Sequence, residues 1–415
     1  MSLRNRMRSA LCALVLFEGT AAPAAAQVAL SLQQAVDRAL DARASLKAEA
    51  ERVAIAEGVK QQAGALPNPE FQFQNENLRP GQHYGSDVDT LAYVIQPLDV
   101  LGKRGRRVDA AGQGVVRSQA EFDQARWQIV KDVRLAYWTA RGAQEARDLL
   151  KATSDTFQRL VDYHNARLSV GAIAEQDVLR VRLEGERLQI TANLATLRAA
   201  RAQAALARAM GQSELTELAL TEPIDAGVAA TATVEEVLAQ RPDMKVARAA
   251  VSEAEARARL QDALARPDLS VTYGYKRTQL PGTLTGANTA IAAVTVKVPL
   301  FDRNAGNRAA ALAETRRQQQ LLTATQVGVV ADFRAASQEY RLRRDEVVGT
   351  LQPLREHAGN ISSIAQAAYT QGGGDLLRLL DAQRTRLDAE LAWVEGMVEY
   401  QQSIVNLEAA EGVAR

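Results

Sequence analysis

Cysteine is all but missing: Cys12 is the only one in 415 residues. It lies in a segment with the form of a secretory signal. Arg4, Arg6 and Arg8 precede an apolar run from Ala10 to Phe17, and small residues lead to Ala24-Ala25-Ala26, an A-x-A cleavage pattern before Gln27. Removal of residues 1–26 as a signal peptide leaves no disulfide, no thiolate nucleophile and no cysteine metal ligand. Leu11 stands before Cys12 where a lipobox needs a small residue, so no lipid anchor is expected.

Aromatic residues make up only 5% and histidines number three, too few for a dense aromatic core or a histidine metal centre. Excess charge is also missing. With 50 basic and 49 acidic residues the formal net charge is +1, and nothing global points to nucleic acid or an acidic substrate. No stretch approaches the roughly 18 consecutive apolar residues of a transmembrane helix. An exported chain of this kind crosses a membrane, if at all, with strands. Nor is there a G-x-S-x-G, H-E-x-x-H or P-loop string, so no enzyme, cofactor or metal site is expected.

What is present in quantity is Ala, Gln, Arg and Glu, the composition of long helices with thin seams. The chain also repeats itself. "ALPNPEFQFQNEN" from Ala65, "QPLDVLGKRGRR" from Gln96 and "SVGAIAEQDVL" from Ser169 are answered by "ALARPDLSVTYGY" from Ala263, "VPLFDRNAGNR" from Val298 and "TQGGGDLLRLL" from Thr370. Pro69 and Pro267 are 198 residues apart, Pro97 and Pro299 202, Gly171 and Gly372 201. The mature chain reads as a tandem duplication, residues 27–230 and 231–415.

Each copy opens with a helical pattern, Ser31 to Gly64 and Thr233 to Leu264, with Pro242 splitting the second into a short and a longer helix. Two strands of period two follow. Phe71 and Phe73 alternate with Gln72 and Gln74; Leu91, Tyr93 and Ile95 form one face of the next strand. In the second copy Leu269, Val271, Tyr273 and Tyr275 alternate with Ser270, Thr272, Gly274 and Lys276, and Val294, Val296 and Val298 with Thr295 and Lys297. Pro97 and Pro299 are expected to end the pairing. A long helical hairpin completes each copy, from about Gly105 to Leu168 and Glu175 to Met210, and again after Gly306 and Gly372-Gly373-Gly374. Leu387, Leu391, Val394, Val398 and Val405 have coiled-coil spacing, matched by Ile190, Leu194, Leu197 and Ala204.

Four strands cannot close a membrane barrel, which needs about eight or more and tolerates no open edge in lipid. Three copies give about twelve, with apolar residues outward and Gln, Ser, Thr and Lys lining the lumen. The expected fold class is therefore α+β: a trimeric 12-stranded β-barrel continued by a long α-helical barrel, from two tandem repeats per chain.

This plan, from "LSLQQAVDRAL" at Leu30 to the end, resembles the TolC family of outer-membrane efflux proteins. "LPNPEFQFQNEN" at Leu66, "LGKRGRR" at Leu101 and "PLFDRNAGNR" at Pro299 resemble its branch serving heavy-metal cation pumps of the cobalt-zinc-cadmium and copper-silver kind. The resemblance implies a homotrimer in the outer membrane, reaching into the periplasm. It would be the passive exit duct of a tripartite RND-type system, fed by a periplasmic adaptor and an inner-membrane pump, with no cofactor. Val170, Gly171 and Ala172, with Gln371, Gly372 and Gly373 in the second copy, resemble the tips that meet the adaptor. Asp177 and Arg180, and Arg378 and Asp381, fall where the family places charges closing the periplasmic mouth. Arg378 stands where some members have an Asp, so a ring of mixed sign or an Arg–Asp bridge is expected.

Lys103, Arg104, Arg106 and Arg107 put positive charge at a helix start, against the macrodipole. Anionic headgroups of outer-membrane lipid, or nearby carboxylates, would offset that cost. His83, His164 and His357 fall in a loop and on two long helices of different repeats and are not expected to bind metal. Two other readings remain at this point: a duct for drugs or other small molecules, and a secreted coiled-coil scaffold, which leaves the four matched strands unexplained.

Overall fold

The computed structural model describes residues 28–78, 80–81, 88–213, 218–225, 227, 232–278 and 287–413. The signal at 1–26, the loop segment with His83 and the loop at 279–286 lie outside the described residues. The first copy runs β1 (Val28–Leu30), α1 (Leu32–Ala42), α2 (Ala44–Ala63), β2 (Glu70–Glu76), β3 (Asp89–Leu98), α3 (Lys103–Ser169), α4 (Glu175–Ala209). β4 (Leu218–Leu220) follows, still within residues 27–230, and the second copy runs α5 (Val234–Gln240), α6 (Pro242–Leu264), β5 (Asp268–Thr278), β6 (Ala287–Lys297), α7 (Ala305–Glu346), α8 (Gln352–Thr370), α9 (Leu376–Glu411).

The copies start alike because their caps are alike. Ser31 accepts the Gln34 N–H while the Gln34 side chain accepts the Ser31 N–H, and Thr233 and Glu236 repeat this capping box. Each short helix then breaks at an arginine with non-helical backbone, Arg43 and Arg241, and Pro242 starts α6 at a position where its missing N–H costs nothing.

α3 has 67 residues and is about 100 Å long. α2 packs along one part of it, where Arg52 pairs with Glu121 at 2.7 Å. α4 packs along another, where Ser154 donates to Gln189 Oε1 at 3.1 Å. The corresponding arm of the second copy is not one regular helix. A single π turn, Val347–Leu351, separates α7 from α8, with the Gln352 N–H reaching back to the Val347 carbonyl. Pro353 follows directly. Its ring has no N–H and would crowd the Gly349 carbonyl in a regular helix, and the wider turn relieves both conflicts. Close approach elsewhere depends on glycine: a Cβ at Gly142 of α3 would collide with Val398, and one at Gly396 with Leu351.

A small parallel pair, β1 with β4, is absent from the sequence reading because three-residue strands leave no period to detect. It belongs to a core of Leu30, Tyr137, Leu206, Met210 and Leu218, and the Tyr137 hydroxyl donates to the Leu30 carbonyl at 2.9 Å. The second copy builds a matching core from Met244, Phe333, Tyr340, Met397 and Tyr400, the two tyrosines stacked at 5.7 Å.

The long strands form one antiparallel sheet in the order β2-β3-β5-β6, so the copies join at β3 and β5, and β2 and β6 are left as edges. Residues opposite each other in a ladder share a face. Phe71 faces Val94, Val94 faces Tyr273 and Tyr273 faces Ala292; Phe73, Ala92, Tyr275 and Ala290 line up the same way. That is the apolar face. Leu91, Tyr93 and Ile95 are on the other one, across from Gln74, Gln72 and Glu70 and from Lys276, Gly274 and Thr272. This corrects the expectation that apolar side chains of that strand point outward together. β3 is apolar at every position from Leu91 to Ile95, so alternation within it carries no sign, and the partners' register decides. Pro97 also differs from expectation: pairing with β2 stops at Ile95, but β3 continues beside β5 to Leu98 opposite Leu269. β2 does not reach Pro97, so no donor is needed on that side.

The coiled-coil seam holds for Leu387, Val394 and Val405, which are buried. Ile190, Leu194 and Leu197 are exposed; α4 meets α3 instead through small residues such as Ala192, Ala195 and Ala199. Alanine brings the helices close and leaves the larger side chains on the free face.

Candidate functional site

The two hairpins end in the same device. At the first, the Gly171 N–H donates to the Leu168 carbonyl and the Ala172 N–H to the Arg167 carbonyl, both at 2.9 Å, with Gly171 at φ +72°. At the second, the Gly372 N–H donates to the Tyr369 carbonyl and the Gly373 N–H to the Ala368 carbonyl, both at 3.1 Å, with Gly372 at φ +80°. This crossed pair satisfies the last carbonyls of each helix and needs the left-handed residue in its middle. The third glycine has its own reason, since a Cβ at Gly374 would lie 2.8 Å from the Tyr369 backbone nitrogen. Val170, 77% exposed, Gly171, Ala172, Gln371, Gly372 and Gly373 all face solvent.

Behind the tips the hairpins are fastened together. His164 of α3 is 1% exposed; its Nδ1 lies 2.8 Å from the Leu160 carbonyl and its Nε2 2.9 Å from the Tyr369 hydroxyl of α8. A carbonyl only accepts, so Nδ1 carries the proton and Nε2 accepts from Tyr369. The rings stack with centroids 6.2 Å apart, Tyr163 meets His164 edge-on, and the Arg167 guanidinium sits 5.8 Å over the Tyr163 ring. Burial raises the Tyr369 hydroxyl above its ordinary pKa; Arg167 pulls the other way, and Asp177 adds to the rise. The sequence alone gives His164 no role, only the expectation that it does not bind metal. Tyr163-His164 before one tip and Tyr369 before the other, in a chain so poor in aromatics, were the available signal.

Asp177 is half-buried, while Arg180, Arg378 and Asp381 are exposed. Among the described residues no ion pair joins Asp177 to Arg180 or Arg378 to Asp381 within the chain.

At the other end of the helices the basic run is mostly engaged inside the chain. Lys103 is buried and bonds Asp268 at 2.6 Å, tying the start of α3 to the start of β5 in the other copy. Arg107 bonds Asp99, Arg104 donates to the Gly64 carbonyl at 2.7 Å, and Arg106 reaches only Asp109 at 3.9 Å. Carboxylates and carbonyls thus meet much of the charge that the helix start opposes. Arg104 and Arg106 remain exposed.

Among the described residues no group of three or more His, Cys, Asp or Glu could hold a metal ion, and no helix is long and apolar enough to cross a membrane. A sheet with one apolar face and two open edges, joined to a helix of about 100 Å and to hairpins with exposed glycine tips, defines a class: the subunit of an oligomeric membrane channel continued by a helical tube. Residues 35–212 and 233–413 match the model of the outer membrane efflux protein family, and the chain belongs to that family.

The chain is 25% identical over 367 residues to the cobalt-zinc-cadmium resistance protein CzcC of Cupriavidus metallidurans, covering 88% of this chain and 86% of that one. It is 27% identical over 343 residues to the outer membrane protein OprJ of Pseudomonas aeruginosa, covering 78% and 69%. Among solved structures, the open-state MtrE outer membrane channel of Neisseria gonorrhoeae superposes with a TM-score of 0.74 at 21% identity, covering 92% of this chain and 89% of that one. The protein is an outer-membrane efflux channel with a helical barrel in the periplasm, in a family of channels rather than enzymes.

Proposed function

We propose that this chain is the exit duct of a tripartite RND-type efflux system and that heavy-metal cations are its cargo, delivered by an inner-membrane pump through a periplasmic adaptor. One observation carries the metal reading: the relative aligned over 88% of the chain is a cobalt-zinc-cadmium resistance protein. The duct works as a homotrimer. The open edges β2 and β6 support this, because three four-stranded sheets joined edge to edge make a twelve-stranded barrel with none left over. The free apolar face of α4, with Ile190, Leu194 and Leu197, is then covered by the next copy.

In this reading Val170, Gly171, Ala172, Gly372 and Gly373 meet the adaptor. Asp177, Arg180, Arg378 and Asp381 contribute to the closed mouth through neighbouring copies, a reading supported by the lack of an ion pair between Asp177 and Arg180 or between Arg378 and Asp381 among the described residues. Deleting the gene should sensitise its host to zinc, cadmium or cobalt, and the intact gene should restore growth. Normal metal resistance together with lost resistance to organic solutes would overturn the cargo and retain the duct.

A further inference from the structure

Of the histidines among the described residues, His357 is exposed and His164 is buried, its ring lying where the two hairpins meet behind their tips. The junction is apolar. Phe157 and Val161 of α3, Val181 of α4, and Leu376 and Leu380 of α9 form it, with Tyr369 of α8 packed against them. The His164 Nε2 accepts from the Tyr369 hydroxyl at 2.9 Å, and the Leu160 carbonyl holds the Nδ1 proton at 2.8 Å. From further along α3 the Arg167 guanidinium acts on the same hydroxyl, both as a charge and as a hydrogen-bond donor. The hydroxyl oxygen thus accepts from Arg167 while its proton goes to His164.

A second proton on the ring undoes this arrangement. Nε2 becomes a donor, so an imidazolium and a guanidinium both aim N–H groups at one oxygen, and the hydroxyl proton loses its acceptor. A buried charge then stands beside a like charge, and the orphaned hydroxyl adds its own desolvation cost. The surrounding elements do little to offset it. α8 and its tip carry no Asp, Glu, Lys, Arg or His from Ala358 to Gly374. α9 supplies Leu376 and Leu380 here, while its Arg378 and Asp381 are exposed. On α4, Arg182 is turned to the Asn165 side chain at 3.2 Å, and the half-buried Asp177 is an anion whose field reaches Tyr369. α3 adds Tyr163, edge-on to the imidazole, and an exposed Asp162. The joined arrangement therefore suits the neutral ring and not the charged one, and a fall in pH through the range where imidazoles titrate shifts the balance toward parted arms.

We propose that His164 is an acid-sensitive catch between the hairpins: as a neutral ring it holds α8 to α3 through Tyr369, and on protonation it lets the two arms part. Its effect on the periplasmic mouth rests on the proposed role of the tips. The mature chain has no cysteine, so nitroxides on Ser169→Cys and Thr370→Cys, both exposed, report the separation of the arms in the full assembled protein. Co-assembly with an excess of unlabelled chain keeps the measured distance within one copy. At about pH 8 the pair should give a narrow distance distribution; at about pH 5.5, where ordinary carboxylates are still ionised, it should broaden and shift to longer distances. His164→Gln presents an acceptor that does not titrate and should stay narrow at both values, whereas Tyr369→Phe should be broad at both. No acid shift in the parent protein overturns the catch, and so does the same shift in His164→Gln, which would move the sensor to the carboxylates. Should the Gln variant be broad already at the higher pH, Asp177→Asn decides: an acid shift that persists supports His164, and one that disappears contradicts it. Conductance across a planar bilayer separates the catch from the mouth. If the arms part in acid while conductance stays the same, the mouth assignment falls and the catch remains.

Discussion

His164 and Tyr369 join the two hairpins through one hydrogen bond of fixed direction, because the Leu160 carbonyl at 2.8 Å commits the other ring nitrogen to donating. Tyr369→Phe removes the donor and leaves a buried acceptor unpaired, at a cost of about 1–3 kcal/mol. Amide exchange over the end of α3 and α8 should quicken, while the barrel and the distant cores keep their protection. Unchanged exchange at the tips would show that the bond does not fasten the hairpins.

Tyr137, Tyr369 and Tyr400 all have hydroxyls raised above the ordinary tyrosine pKa, in each case chiefly by burial. In an unfolded chain they would ionise near 10. A raised pKa in the folded state means that their contribution to stability is fully present below that value and is lost as pH climbs through the folded pKa. Thermal stability should therefore be flat through neutral pH and fall in the alkaline range. Flattening that fall in a Tyr400→Phe variant would support the assignment; an identical alkaline limb would contradict it.

Lys103 and Asp268 form an unequal pair, the lysine side chain 9% exposed and the aspartate 69%. Asp268→Asn strands a buried ammonium and should cost about 3 kcal/mol, whereas Lys103→Met leaves an aspartate that water can solvate and should cost about 1 kcal/mol. Thermal unfolding of the two variants decides it. Equal losses would mean that Lys103 is solvated in the assembled protein.

The repeat, the strands and the hairpin breaks were legible because each rests on a local signal: matched prolines, period-two alternation, a glycine after a long helical pattern. Features set by distant or single residues were not, three of them in particular. The facing of Leu91, Tyr93 and Ile95 depends on partners far along the chain, and Gly274 opposite Tyr93 is the clue that only register reveals, since a Cβ there would collide with Tyr93 and lie 2.6 Å from the Ala92 carbonyl oxygen. The π turn answers a single proline within an otherwise ordinary helical pattern. The engagement of Lys103 with Asp268 spans 165 residues, beyond any local rule.

Gly171 stands at φ +72° with open space where a Cβ would be. Gly171→Val should strain the turn by about 1–2 kcal/mol and reshape the exposed tip without touching barrel or core. Export-dependent resistance should drop while the amount of assembled protein in the outer membrane stays the same. Normal resistance would remove the tip from the adaptor interface.

The central claim is that four strands per chain close only in company. The mass of the detergent-extracted protein, measured by light scattering with the detergent contribution subtracted, tests it most directly. Three copies per particle is the expected result; a monodisperse single chain would contradict the account.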